Sequence, residues 1–127
     1  MTEFVLVHDG IELESRERLN RRGIKTYWRQ HPLFGSSIFS LFPWRDSVYK
    51  RAIIVDGSNP ESYLRELIVI RFVLEQGGCD VLNFREPARA LAAYGPDTDL
   101  VVAYYHINKN STGIGTIEEM MEKAKRS

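Results

Sequence analysis

The stretch RAIIVDG, residues 51–57, begins with a continuous apolar run and ends in Asp56-Gly57. An apolar run of this length, without polar alternation, is typical of a strand buried on both faces of a parallel sheet. Asp and Gly are turn-forming residues, so the strand is predicted to end there. The sequence therefore predicts a buried strand at residues 51–55, inside a parallel sheet.

Strand patterns alternate with helix patterns on both sides of this stretch. The other predicted strands are 4–8, 24–28, 80–84 and 99–105, and the predicted helices are 11–22, 60–76, 86–94 and 116–126. Such alternation favours parallel strands joined by right-handed crossovers, with helices on both faces of the sheet. We expect one domain over residues 1–127, an α/β three-layer Rossmann-like sandwich with about five mostly parallel strands.

Composition narrows the classes of partner. The chain has 127 residues, with 17 Lys and Arg balanced by 17 Asp and Glu. A neutral chain has no overall field that draws it to nucleic acid or to an anionic membrane, so a bound phosphate must be held locally. No apolar stretch approaches the roughly 20 residues of a membrane span, and the first residues lack a signal-peptide pattern. We expect a cytoplasmic protein that binds neither membranes nor nucleic acid.

Cysteine and histidine usage points to no metal site. Cys79 is the single cysteine, so no disulfide can form within the chain, and we expect a buried thiol rather than a nucleophile. The histidines, His8, His31 and His106, are too widely spaced to form a metal-ligand pattern. The sequence therefore predicts no metal and no cofactor.

The glycine-rich stretch STGIGTIEE, residues 111–119, carries most of the functional information. It follows a predicted strand, and ligands of parallel α/β sheets bind outside the carboxyl ends of the strands. Glycines let the backbone approach a ligand, and N–H groups at a helix start attract anions. We expect Ser111, Gly113, Gly115 and Thr116 to contact a phosphate.

Three nearby polar residues have two interpretations each. Glu119 can act on a sugar as a nucleophile or base, or it can form a capping box with Thr116 at the start of the helix. Asp56 can bind ribose hydroxyls or can serve only its turn. His106 can line the pocket or can simply end a strand at the surface.

The segment GIGTIEE, residues 113–119, resembles the glycine-rich Gly-Thr-x-x-Glu signature of two related families. They are the nucleoside 2-deoxyribosyltransferases and the Lonely-Guy-type nucleotide phosphoribohydrolases. The resemblance extends over residues 97–123, with Ser111-Thr112-Gly113 where phosphoribohydrolases carry Pro-Gly-Gly. It implies that Glu119 acts at the anomeric centre of the sugar and that Asp99 supports the site.

These observations lead to three hypotheses of function. The first is an enzyme acting at the N-glycosidic bond of a nucleoside or nucleotide, with Glu119 and Asp99 as catalytic residues. The second is a non-catalytic module that binds or senses a nucleotide in the same pocket. The third is a protein-interaction domain that uses the apolar segment 34–44. We also expect a homodimer in which a neighbouring chain completes the sheet or the pocket.

Overall fold

The computed structural model describes residues 2–28, 49–57, 65–108 and 111–126. Their strands are β1 (Glu3–His8), β2 (Ile24–Trp28), β3 (Arg51–Val55), β4 (Asp80–Phe84), β5 (Leu100–Tyr104), β6 (His106–Asn108) and β7 (Ser111–Thr112). Their helices are α1 (Leu13–Arg21), α2 (Arg65–Gln76), α3 (Pro87–Ala93) and α4 (Gly113–Arg126). The predicted start of the second helix at residue 60, and the apolar segment 34–44, lie outside the described residues.

Five strands form one parallel sheet in the order β2-β1-β5-β3-β4. The last long strand, β5, lies in the middle and pairs with both β1 and β3. Strands β6 and β7 form a separate antiparallel hairpin between β5 and α4. The α/β Rossmann-like architecture with five parallel strands is thereby confirmed.

Two apolar layers cover the faces of the sheet. On the first face, α2 contributes Leu67, Ile70 and Leu74. On the second face, Leu19 of α1, Ala90 of α3 and Ile117 and Met120 of α4 pack together. Helices therefore lie on both faces, as in a three-layer sandwich. Among the described residues, no helix is both long and apolar enough to span a bilayer.

Helix α4 begins earlier than the sequence suggests, at Gly113 instead of Thr116. The side chain of Thr112 caps it, because the Thr112 Oγ1 accepts a hydrogen bond from the Gly115 N–H at 3.2 Å. Glycine is a poor helix former, so the sequence predicts a loop at residues 113–115. The predicted capping box of Thr116 with Glu119 is wrong, since Thr116 lies inside the helix and donates to the Thr112 carbonyl at 3.2 Å.

Gly113 sets the position of α4 against the sheet. A Cβ atom on this residue would lie 2.3 Å from the Tyr104 carbonyl oxygen and 2.9 Å from the Leu6 side chain. Backbone atoms at that distance cannot simply rotate away, so only glycine fits here. Gly115, by contrast, is exposed, and its Cβ would meet the Thr112 Oγ1 at an ordinary 3.7 Å.

The two glycines therefore form a matched pair for mutation. We expect Gly113→Ala to lower the free energy of unfolding by about 1–3 kcal/mol, because the new methyl group overpacks the end of β5. We expect Gly115→Ala to leave stability unchanged or raise it by up to about 1 kcal/mol, because alanine favours helix. Urea unfolding followed by circular dichroism measures both values, and equal effects of the two substitutions would contradict the close packing.

Candidate functional site at the carboxyl edge of the sheet

The carboxyl ends of β3 and β5 lie side by side, and the chain leaves them toward opposite faces of the sheet. After β3 it continues to α2 on the first face, and after β5 it continues through the hairpin to α4 on the second face. Neighbouring strands whose connections diverge in this way leave a crevice at the sheet edge. This crevice is the expected position of a ligand.

The hairpin brings two of the predicted site residues into one place. Gly57 is buried, has a φ of +83°, and packs so closely on the hairpin that a Cβ would lie 2.6 Å from the Ile107 carbonyl oxygen. The same Cβ would lie 3.2 Å from the carbonyl oxygen of His106. Asp56, which precedes Gly57, therefore lies close to His106 along the backbone at this edge of the sheet.

Asp56 has one satisfied and one unsatisfied carboxylate oxygen. The Asn83 side-chain amide at the end of β4 donates to Asp56 Oδ2 at 3.0 Å. Asp56 Oδ1 is buried and has no hydrogen-bond partner in the described part of the chain. A buried oxygen without a donor is costly, so any hydroxyl donor that reaches this atom stabilises it. Sequence reasoning missed Asn83, although a polar residue near the carboxyl end of a strand is a usable signal.

Aromatic rings surround His106 on the other side of the hairpin. Its exposed imidazole contacts the Tyr105 ring edge-on, with centroids 4.7 Å apart, and the Tyr104 ring at 5.7 Å. The Tyr104 hydroxyl in turn donates to the Asp9 carboxylate at the end of β1. The ring of His106 is thus exposed at the same sheet edge as Asp56.

The start of α4 uses several of its donors within the protein. The Gly113 N–H donates to the Tyr105 carbonyl at 2.9 Å, and the Gly115 N–H donates to Thr112. Thr116 is buried, and its hydroxyl bonds inside the helix. The side chain of Ser111 lies outside what the structure describes. Gly113, Gly115 and Thr116 thus lie at the carboxyl edge, as predicted for a phosphate site, but the donors named above already bond within the protein.

Glu119 is exposed on α4, and its carboxylate has no hydrogen bond or ion pair with any described residue. It lies about 9 Å along the helix from Gly113, at 1.5 Å per residue. It also lies one turn before Lys123, whose ammonium donates to the Leu91 and Tyr94 carbonyls at 2.7 and 2.8 Å. Because residues four apart share a helix side, Glu119 lies on the side of α4 that faces α3.

Asp99 lies at the opposite, amino edge of the sheet. Its carboxylate accepts the backbone N–H of Lys50 at 2.7 Å and of Arg51 at 3.2 Å. These two hydrogen bonds lower the pKa of Asp99 below its ordinary value. The full length of β5, about 17 Å, separates Asp99 from the carboxyl edge. The structure therefore does not bring Asp99 together with the other predicted site residues.

His8 and Cys79 are both buried. His8 ends β1 and is buried, and its Nδ1 accepts the N–H groups of Gly10 at 3.0 Å and Ile11 at 3.2 Å. Cys79 is buried as predicted, and burial raises the pKa of its thiol. A buried cysteine with a raised pKa is a poor nucleophile.

Comparison with protein-family models, with curated proteins and with solved structures gives no match to this chain. The assignment of function therefore depends on the chemistry of the carboxyl edge.

His8 generates a pH dependence of stability. Burial, and then the positive charge of Arg16, lower its pKa to about 4, although the Asp9 carboxylate opposes the shift. Between that value and the ordinary 6.5 the unfolded chain binds more protons than the folded protein. The free energy of unfolding therefore falls as the pH is lowered from about 6.5 to about 4, by up to about 3 kcal/mol.

The control is His8→Asn, whose amide oxygen can accept the Gly10 and Ile11 N–H groups but does not titrate. When the pH is lowered from about 6.5 to about 4, we expect the free energy of unfolding of the variant to fall less than that of the wild type. The difference between the two proteins should be up to about 3 kcal/mol. Urea unfolding at several pH values measures the difference. Identical pH profiles for the two proteins would show that His8 titrates normally.

Proposed function

We propose that the carboxyl edge of the sheet binds the sugar of a nucleoside or nucleotide, with Asp56 as the acceptor for its hydroxyl groups. The observation that carries this proposal is the buried Asp56 Oδ1, which lacks a hydrogen-bond donor among the described residues. Hydrogen bonds to a charged group contribute about 1.5–3 kcal/mol, more than those between neutral groups. A hydrogen bond from a sugar hydroxyl therefore contributes more to the binding free energy here than at an ordinary surface carboxylate.

Asn83 supports this role by orienting the carboxylate. Its amide holds Asp56 Oδ2, so the other oxygen has a fixed direction before a ligand arrives. Preorganisation of this kind lowers the entropic cost of binding. The nearby exposed ring of His106 offers a surface on which a planar base can stack.

The phosphate of a nucleotide would contribute less than the sugar. Two N–H groups at the start of α4 and the hydroxyl of Thr116 already bond within the protein. The helix dipole still favours an anion near residues 113–115, by about 0.3–1 kcal/mol at an exposed site. We therefore expect nucleosides and their monophosphates to bind with similar affinity.

Catalysis at the N-glycosidic bond is the second candidate, and the exposed Glu119 favours it. Its carboxylate does not cap the helix and has no described partner, and a substrate that it attacks has to extend about 9 Å along α4 from the helix start at the carboxyl edge. In the proposed reaction Glu119 attacks the anomeric carbon, and the base leaves with the electrons of the C–N bond and takes up a proton. Water then hydrolyses the glycosyl ester. Asp99, at the other edge of the sheet, would not take part.

The binding proposal is tested by thermal unfolding with adenosine, deoxyadenosine, their 5′-monophosphates and ribose 5-phosphate. A ligand at a hundredfold excess over its Kd stabilises the folded state by about 2.7 kcal/mol. We expect Asp56→Asn to weaken binding at least about tenfold, because the acceptor charge is lost. Asp99→Asn is the matched control at the opposite edge and should retain the full shift.

Two outcomes would contradict the binding proposal. One is that none of these compounds raises the melting temperature of the wild type. The other is that Asp56→Asn and Asp99→Asn respond alike to each compound.

The catalytic proposal is tested by the release of free base, measured chromatographically. We expect wild type to release base from a bound nucleoside or nucleotide, and Glu119→Gln to lower the rate at least about a hundredfold while it still binds. Glu122→Gln, one turn further along α4 and also exposed, is the control. Base release that survives Glu119→Gln would rule out Glu119 as the nucleophile.

A further inference from the structure

Strand β4 is an edge of the described sheet, and no described residue bonds to the main-chain groups on its outer side. The Asp80 N–H donates to the Lys50 carbonyl and the Phe84 carbonyl accepts the Asp56 N–H, so these even-numbered positions bond toward β3. Because hydrogen bonding alternates along a strand, the main-chain groups of Val81 and Asn83 point away from β3. No described strand pairs with that side of β4.

The sequence and register of β4 itself show none of the features by which an edge strand usually resists pairing with another chain. The sequence DVLNF at residues 80–84 contains no proline and no lysine, and it pairs in regular register with β3. Leu82, in the middle of the strand, is 48% exposed. An exposed apolar side chain on a regular edge strand is a template for strand addition.

We propose that a second copy of this chain pairs with β4 in antiparallel orientation, centred on Leu82, to form a continuous ten-stranded sheet. In this register Val81 lies opposite Asn83 of the partner subunit, and the two residues exchange both main-chain hydrogen bonds. The twofold axis repeats the exchange, which gives four bonds. Leu82 then meets the partner's Leu82 in a non-hydrogen-bonded pair, where cross-strand side chains approach most closely.

Charges at the two ends of β4 select this orientation. Asp80 begins the strand and Arg85 follows it, and both side chains are exposed and form no ion pair with a described residue. The neighbouring Glu86 already pairs with Arg89 at 3.6 Å. In the antiparallel register Asp80 lies opposite the partner's Phe84, and the partner's Arg85 is the next residue along, so opposite charges share each end of the strand pair. A parallel arrangement would instead place like charges together.

The size of the contact sets the expected affinity. Stable interfaces usually bury about 1,600 Å² in total, and two five-residue strands with their flanking side chains bury less. We therefore expect a reversible dimer with a Kd of the order of 10 µM. The interface uses the main chain of Asn83, whereas the proposed ligand site uses its side chain together with Asp56, so each proposal can fail without the other.

The experiment is sedimentation equilibrium of the full chain over concentrations from about 1 µM to about 500 µM. We expect the wild type to be dimeric at the highest concentrations of this range. We expect Leu82→Lys and Asp80→Arg each to raise the dimer Kd at least tenfold. The charge exchange Asp80→Arg with Arg85→Asp should restore association. Phe72→Lys on α2, which replaces another exposed apolar side chain (61% exposed), should leave it unchanged.

Circular dichroism of each variant verifies that the fold is retained. The proposal is overturned if the wild type stays monomeric throughout, or if Leu82→Lys and Asp80→Arg associate like the wild type. It is also overturned if Phe72→Lys, rather than Leu82→Lys, abolishes the dimer, since that result would assign the contact to α2.

Discussion

The insertion of β5 between β1 and β3 holds the whole structure together. All five residues of β5 are buried, and its parallel pairing on both sides is the only link within the described sheet between the β1–β2 pair and the β3–β4 pair. Two-stranded sheets are marginal by themselves, so neither half would be stable without it. The end of β5 also places the hairpin on Gly57 and the start of α4 on the Tyr104 carbonyl. The geometry of the carboxyl edge thus follows from one central strand.

This arrangement explains why polar groups at the edge differ in their roles. Those nearest the end of β5, such as the Gly113 N–H and the Thr116 hydroxyl, bond within the protein and secure α4. Asp56, at the end of β3, keeps one buried oxygen without a described donor. Natural proteins tolerate such unsatisfied groups where function needs them, at some cost in stability. Because Asp56 Oδ1 is unsatisfied among the described residues, while these donors at the start of α4 are already used, we place the proposed ligand at Asp56.

Much of the fold could be predicted from local patterns. Three strands, 24–28, 51–55 and 80–84, have the predicted bounds, and each has turn-forming glycines next to one end: Gly23 before the first, Gly57 after the second, and Gly77 and Gly78 before the third. The strand order could not be predicted in this way, since it depends on which strands pair at a distance. The start of α4 was misplaced because the cap formed by Thr112 outweighs the low helix propensity of the glycines that follow.

The site was less predictable than the fold. Asp56 and His106 were expected at the ligand edge because each follows a strand, and topology places both there. Asp99 was grouped with them by resemblance, yet it precedes β5 and so lies at the other edge. The position of Asn83 near the carboxyl end of a predicted strand is visible in the sequence, but its bond to Asp56 joins residues that are 27 positions apart. Such long-range contacts leave no local sequence pattern.

The most direct test of the ligand site is an amide chemical-shift map of the ¹⁵N-labelled protein titrated with adenosine and with its 5′-monophosphate. We predict that the largest shifts cluster at Gly57, Asn83, His106 and the first turn of α4, with little change at Thr98 and Asp99. Shifts concentrated at the amino edge, or no shifts at millimolar ligand, would contradict the account.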